Sequence, residues 1–258
     1  MSEQELTSTN NESKWINSAS EAKVRIKWLL ISHVIFWIIF GIIVLIFGDE
    51  QLALATNPGF AIDETHWSYK VVKIYSDTFI VIQLGSIVAT ILFLIIPKCK
   101  PYRRTMLETS YTILFAGIFV ESLKILAGRL RPFQVGSPIA DEINFFGEET
   151  DSGSMPSGHV AYTGAGVLPH AIWMKKVVIS IILSIFSAGM MYIRMYLGVH
   201  YATDVLVGNI ISLGCAILAF LLFQRIYKNG SIKHSQEWLI FVIWLVVFIA
   251  TQVLLRSF

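Results

Sequence analysis

Residues 28–47 read WLLISHVIFWIIFGIIVLIF, a run of twenty residues without a single Asp, Glu, Lys or Arg. About 17–25 consecutive apolar residues are enough for a helix to cross the hydrocarbon core of a bilayer. The run is too long for the core of a signal peptide, and no small-residue cleavage site follows it. It therefore predicts a membrane-spanning anchor helix.

Similar apolar runs recur along the rest of the chain. With the first, they make seven candidate spans: Trp28–Phe47, Thr78–Ile96, Leu107–Leu126, Val160–Met174, Val177–Leu197, Val205–Phe223 and Trp238–Leu255. The fourth run is short and contains Gly and Pro, which membrane helices tolerate when they pack against neighbours. The prediction is an all-α, polytopic transmembrane helix bundle with six core spans and a seventh, C-terminal span.

Composition supports this class and excludes others. Hydrophobic residues make up 55% of the chain and charged residues only 15%, too few to cover the surface of a soluble protein of this size. The net charge of +2 is too small for a nucleic-acid partner. Cys99 and Cys215 fit neither a disulfide framework nor a metal site. The expected partners are the bilayer and a membrane lipid, and composition does not indicate an oligomeric state.

The chain divides into a polar tail (1–27), a membrane core (28–223) and a loop with an extra C-terminal helix (224–258). Seven spans place 13 of the 20 Lys and Arg residues on the side that carries the N-terminus. Lys and Arg favour the cytoplasmic side. We therefore expect a multi-pass protein of the cell membrane with a cytoplasmic N-terminus.

Three polar segments fall on the opposite, extracytoplasmic side: residues 124–132, 156–159 and 194–204. The first contains Lys124 and Arg131, the second Ser157, Gly158 and His159, and the third Arg194, His200 and Asp204. The loops 127–156, with Phe145 and Phe146, and 48–75 are expected to shape the entrance to this face.

These residue types could together bind and transfer a phosphate group. Lys124 and Arg131 are seven residues apart, so on one helix they would point the same way and, with Arg194, form a cationic cage. Ser157 and Gly158 precede a helix, whose N-terminal N–H groups favour an anion.

The two histidines of these segments could carry the catalytic steps. His200 and Asp204 are four apart, so on a helix the carboxylate could accept a proton from one ring nitrogen and leave the other as a nucleophile. His159 is then available as a general acid. None of these roles requires a metal or another cofactor.

Each residue also has a simpler interpretation. Lys124 and Arg131 taken singly suit interfacial side chains at a helix end. Arg194 and Asp204 could form a structural ion pair, and His200 could be a buried histidine without a catalytic role. Their joint spacing on one face favours the functional interpretation.

The three segments together resemble the type-2 phosphatidic acid phosphatases, whose site is shared with vanadium haloperoxidases. The family pattern is Lys, six residues, Arg-Pro; then Pro-Ser-Gly-His; then Ser-Arg, five residues, His, three residues, Asp. Residues 124–132, 156–159 and 194–204 match it, except that Ile193 replaces the usual Ser before Arg194. That replacement removes a hydroxyl that could contact phosphate.

The resemblance implies a mechanism without magnesium. His200 attacks phosphorus to form a phosphohistidine, Asp204 stabilises the imidazolium, and His159 protonates the leaving oxygen and later activates water. The oxygens of the phosphate would be held by the following residues: Lys124, Arg131, Arg194, Ser157 and Gly158.

The expected function is hydrolysis of a lipid phosphate or diphosphate at the outer membrane face. Candidate substrates are polyprenyl diphosphate, phosphatidylglycerophosphate, phosphatidic acid and a glycolipid phosphate. The alternatives are a phosphotransferase that passes the phosphate to a sugar or lipid acceptor, and a non-catalytic phosphate- or lipid-binding carrier.

Overall fold

The computed structural model describes residues 16–56, 67–132, 153–228 and 231–254, and within them the secondary structure is helical apart from one isolated bridge. The α-helices are α1 (Ala19–Phe47), α2 (Asp49–Thr56), α3 (Trp67–Ile95), α4 (Arg103–Ala127), α5 (Gly158–Trp173), α6 (Val177–Tyr196), α7 (Ala202–Ile226) and α8 (His234–Leu254), with a 3₁₀ helix at Pro97–Tyr102. The predicted all-α membrane bundle is confirmed.

Six of these helical stretches are long and apolar enough to cross a membrane: Ala19–Phe47, Trp67–Ile95, Pro97–Ala127, Val177–Tyr196, Ala202–Ile226 and His234–Thr251. Helix α5, the fourth predicted span, has only 16 residues, or about 24 Å at 1.5 Å per residue. That is shorter than the hydrocarbon layer, but nearly all of its residues are buried against other helices. The chain is thus an integral, multi-pass membrane protein, and the fourth predicted span is enclosed by protein.

Hydrogen bonds between sequence-distant residues show which helix ends lie together. The Asn17 N–H donates to Trp173 O at 2.7 Å, which joins the start of α1 to the end of α5. Arg25 donates to Lys175 O at 3.1 Å, at the start of α6. At the other end of α1, Asp49 pairs with Arg129, just beyond α4. The bundle therefore has two distinct ends, and α5 runs from one to the other.

Helix α1 begins earlier than the sequence indicated. Ser18 accepts from the Glu21 N–H at 3.4 Å, and the Glu21 carboxylate accepts from the Ser18 N–H at 2.7 Å, a capping box. Residues 19–27 of the polar tail assigned from the sequence thus form the first turns of this helix. The polar first turns extend the helix beyond its apolar segment.

The C-terminal helix α8 packs against α4 through both polar and apolar contacts. Arg103 and Glu237 form a buried ion pair at 3.2 Å, and Trp244 donates from its indole to Ser110 O at 2.6 Å. The seventh predicted span, α8, is therefore part of the bundle. Phe145, Phe146 and residues 57–66, expected at the entrance to the site, lie outside the described residues.

Candidate active site

The third predicted segment forms the turn between α6 and α7. Gly198 has φ +66°, a left-handed conformation that suits glycine, and it lets the chain reverse between the two helices. His200 lies in this turn and Asp204 in the first turn of α7, so the pair is not held on one helix as expected. Their side chains nevertheless meet, with 3.6 Å between His200 Nδ1 and Asp204 Oδ2.

His200 is almost completely buried, with 1% of its surface exposed. Burial lowers the pKa of His200 to about 4, and the neighbouring Asp204 offsets only part of that effect. The imidazole is therefore neutral at neutral pH, with a lone pair available on one nitrogen. A nucleophile at this position needs that protonation state.

Asp204 is fully buried and accepts hydrogen bonds from three groups. Arg129 Nη1 donates to Oδ1 at 2.9 Å, while the Ser154 hydroxyl and the Tyr201 N–H donate to Oδ2 at 2.5 and 2.8 Å. A buried carboxylate without such partners would be strongly destabilising. These contacts also exclude the simpler interpretation of an Arg194–Asp204 ion pair, because the arginine that pairs with Asp204 is Arg129.

The second predicted segment lies at the start of α5, directly beside α7. The Ser157 N–H donates to Asp204 O at 3.0 Å, and Ser157 is the N-cap of α5. A Cβ on Gly208 would lie 2.6 Å from Ser157 O, so α7 approaches this helix end as closely as glycine allows. The Ser157 hydroxyl is buried and has no hydrogen-bond partner in the described part of the chain. Together with the first-turn N–H groups of α5, it suits an anion.

His159 joins the second segment to the cationic residues. Its ring lies 3.8 Å, centroid to centroid, from that of Phe79 on α3. It also lies close enough to interact electrostatically with four other predicted site residues, which are Arg194, His200, Arg131 and Lys124. His159 therefore stands where the three segments meet.

The first segment reaches the site by a route that the sequence did not indicate. Helix α4 ends at Ala127, and Gly128, with φ +54°, turns the chain out of the helix. The prediction that one helix points Lys124 and Arg131 the same way was therefore wrong. The two side chains still approach each other and Arg194, and Glu121 lies 3.8 Å from the Lys124 ammonium.

Three cations thus gather at one point. Arg131 and Arg194 are close enough to affect each other electrostatically, and burial lowers the pKa of Arg131, an effect that Asp204 partly offsets. Arg194 is 6% exposed and its Nε is buried without a partner among the described residues. Because like charges repel, such a cluster is most stable around a bound anion.

Several residues of this site were missed by the sequence interpretation. Arg129 and Ser154 bind Asp204, Asp49 binds Arg129, and Ser76 and Phe79 bring α3 to the site. Arg129 could have been suspected, since a basic residue at a membrane helix end that packs inward needs a partner. In the described part of the chain, no group of three His, Cys, Asp or Glu side chains could hold a metal ion.

The fold and the site define a multi-pass membrane protein. At one end of its helix bundle, cationic side chains and two histidines form a cluster suited to an oxyanion. The model of the PAP2 superfamily matches residues 105–228, which include all three motifs. Residues 105–228 are therefore similar to the PAP2 superfamily, and the resemblance seen in the sequence is confirmed.

A curated relative matches a shorter stretch of the chain than the family model does. The chain is 35% identical over 103 residues to lipid A 4′-phosphatase of Bacteroides thetaiotaomicron, and the match covers 39% of this chain and 45% of that protein. The chain therefore matches less than half of that relative's length.

Two solved structures are similar at 20% identity. They are Aquifex aeolicus LpxE, with a TM-score of 0.40 over 62% of this chain and 99% of that chain, and the first transmembrane PAP2 type phosphatidylglycerolphosphate phosphatase from Bacillus subtilis, with a TM-score of 0.45 over 78% and 96%. Neither structure reaches a TM-score of 0.5, so the assignment of the fold depends on the helices described above and not on these two structures.

Proposed function

We propose that this protein is a metal-independent phosphatase that hydrolyses a phosphate or diphosphate ester of a membrane lipid, with His200 as nucleophile. The observation that carries the proposal is the buried imidazole of His200, 3.6 Å from the buried carboxylate of Asp204. A site that only bound phosphate would not need a nucleophile with its own orienting acid.

In the proposed first step, His200 Nε2 attacks phosphorus, because Nδ1 faces Asp204. The P–O bond to the lipid breaks as the N–P bond forms, and His159 gives its proton to the departing oxygen. The dianionic phosphate offsets the positive charge around His159 and so favours the protonated imidazole. The developing imidazolium of His200 is stabilised by the negative charge of Asp204.

In the second step, His159 accepts a proton from water, which attacks the phosphohistidine and releases inorganic phosphate. Throughout, the phosphate oxygens would be held by the cationic and helix-end groups: Lys124, Arg131, Arg194, Ser157 and the Gly158 N–H. Arginine side chains suit this task because their planar donors match tetrahedral oxyanions.

The substrate class follows from where the site lies. It is built at the ends of the candidate membrane helices. This position would bring it near the lipid headgroups, so an amphiphile could present its phosphate without leaving the bilayer. The name of the curated relative, lipid A 4′-phosphatase, supports a phosphorylated glycolipid among the candidates. Polyprenyl diphosphate, phosphatidylglycerophosphate and phosphatidic acid complete the panel.

The proposed orientation places the site outside the cytoplasm. The described residues at the other end of the bundle hold most of its Lys and Arg, and these residues are Lys23, Arg25, Lys27, Lys98, Lys100, Arg103, Arg104, Lys175, Lys176, Arg225, Lys228 and Lys233. This excess favours a cytoplasmic location for that end.

The test is phosphate release from the lipid panel in detergent, with EDTA present. We expect release by the wild type, none by His200→Ala, and normal release by His234→Ala, which removes a half-exposed histidine at the opposite end of the bundle. Equal release by wild type and His200→Ala would rule out the mechanism. Transfer of labelled phosphate to an added sugar or lipid alcohol, in place of release, would identify a phosphotransferase.

A further inference from the structure

We infer that Arg129 is a positioning residue for the proposed reaction, that it acts through Asp204, and that Asp49 on α2 holds it in place. The inference rests on the proposed function, since it concerns the acid that orients the nucleophile. Arg129 is one of the six unspecified residues of the first motif, and Asp49 lies outside both the motifs and the segment that matches the family model.

Arg129 links two carboxylates from distant parts of the chain. Its Nη1 donates to Asp204 Oδ1 at 2.9 Å and to the Thr203 hydroxyl at 2.6 Å, and its Nη2 donates to Asp49 Oδ2 at 2.8 Å. The guanidinium carbon lies 4.0 Å from the ring centroid of Tyr201. With 2% of its surface exposed, Arg129 is shielded from water, so these contacts are weakly screened.

These contacts determine how the Asp204 carboxylate is turned. Arg129 holds Oδ1, and the Ser154 hydroxyl and Tyr201 N–H hold Oδ2, the oxygen that faces His200. Arg129 contributes a second time through its backbone, because its carbonyl accepts from the Ser154 N–H at 2.7 Å. Without the guanidinium, Oδ1 would lose its charged partner and the carboxylate could rotate away from the imidazole.

Asp49 binds both Arg129 and the start of α7. One of its oxygens accepts from the Thr203 N–H at 2.9 Å, and the other accepts from the Thr203 hydroxyl and from Arg129. A carboxylate at a helix N-terminus is favoured by the helix dipole. Asp49, the first residue of α2, therefore connects the segment just after α4 to the start of α7, beside the proposed nucleophile.

The charge balance favours a catalytic purpose over a structural one. One guanidinium serves two carboxylates, so Arg129 alone does not neutralise Asp204, whose negative charge faces an imidazole that becomes positive when it attacks phosphorus. A buried charge network adds little stability compared with apolar side chains of the same volume. It is useful where charge develops during the reaction.

A double-mutant cycle tests the inference, with Arg129→Met and Asp204→Asn measured singly and together. Loss of a charged hydrogen bond to the orienting acid should lower kcat by about 10- to 100-fold, with KM nearly unchanged because Lys124 and Arg194 are not touched. In the Asp204→Asn background, Arg129→Met should lower kcat by less than about 3-fold, because residues that act as a unit are not additive. Single-turnover assays with ³²P-labelled lipid give the rates of the slow variants.

Two further variants keep the test independent of folding. Arg129→Lys retains the charge but cannot reach both carboxylates as a fork, so it should also lose kcat, and it replaces Arg129→Met in the cycle if that protein does not fold. Asp49→Asn removes one partner and should give a smaller loss in kcat.

The outcomes separate the two proposals. Equal losses from Arg129 substitution in both backgrounds, or a raised KM with normal kcat, would overturn the role of Arg129 while leaving the phosphatase intact. A wild-type protein that releases no phosphate from any lipid of the panel would overturn the proposed function, and this inference with it.

Discussion

Arg194 Nη1 donates to the hydroxyl of Ser76 at 2.7 Å, and both side chains are buried. Arg194 lies in the last turn of α6, within the segment that matches the family model, whereas Ser76 lies on α3, outside that segment. The hydrogen bond anchors one edge of the guanidinium, and the buried Nε on the adjacent edge has no partner among the described residues. Helix α3 therefore orients a cation of the proposed phosphate cage.

The first prediction concerns this contact. Ser76→Ala should raise KM for lipid phosphate and lower kcat/KM by about 10- to 100-fold, because loss of one hydrogen bond to a charged group costs about 1.5–3 kcal/mol. Steady-state kinetics in detergent measure the effect.

Ser68→Ala is the matched control, since Ser68 is on the same helix and also bonds to a residue of α6, Tyr196, at 3.0 Å. If both alanine variants behave alike, Ser76 has no special relation to the phosphate cage.

The second prediction concerns the close approach of α7 to α5. Gly208→Ala would place a Cβ 2.6 Å from the Ser157 backbone oxygen, so the two helices must move apart at the site. We expect lower thermal stability together with a large loss of kcat/KM. The measurements are the unfolding midpoint in detergent and phosphate release.

Gly214→Ala provides the comparison on the same helix, because a Cβ there meets nothing within 4 Å. It should leave activity unchanged and slightly raise stability, since Ala is about 1 kcal/mol better than Gly within a helix. An active, stable Gly208→Ala protein would contradict the packing described here.

The third prediction concerns pH. The pKa of His200 is lowered to about 4 in the folded protein from a usual value of 6.5. Between these two pH values the unfolded chain binds a proton at this residue and the folded chain does not, so stability falls as the pH is lowered through this range.

Thermal unfolding at a series of pH values measures this contribution. His200→Gln cannot take up the proton, so its midpoint should fall less steeply than that of the wild type between pH values of about 6.5 and about 4. Other titrating groups are common to both proteins and cancel in the comparison. Parallel curves would show that His200 is not buried as a neutral group.

The fourth prediction concerns membrane orientation. In a background without Cys99 and Cys215, Lys70→Cys at the site end should react with a membrane-impermeant thiol reagent in intact cells. Lys176→Cys, exposed at the opposite end, should react only after the membrane is permeabilised. The reverse pattern would place the site in the cytoplasm.

The sequence by itself determined the helical membrane class and the residues that carry the motifs. Apolar runs long enough to cross a bilayer predict helices, because backbone groups in lipid must be satisfied within the segment. Boundaries were less well predicted, since the polar turns that begin α1 at Ala19 lie outside the apolar pattern. An even number of predicted crossings separates one motif from the next, and this was sufficient to assign all three to one end of the bundle.

Only the tertiary structure decided which side chains are partners there. Lys124 and Arg131 were expected on one helix, yet Gly128 ends α4 between them and a turn carries Arg131 to the site. The partner of Asp204 is Arg129, and the partner of Arg194 is Ser76, more than one hundred residues away. Such choices depend on how helices distant in sequence pack and turn their side chains, and spacing along the chain contains no information about that packing.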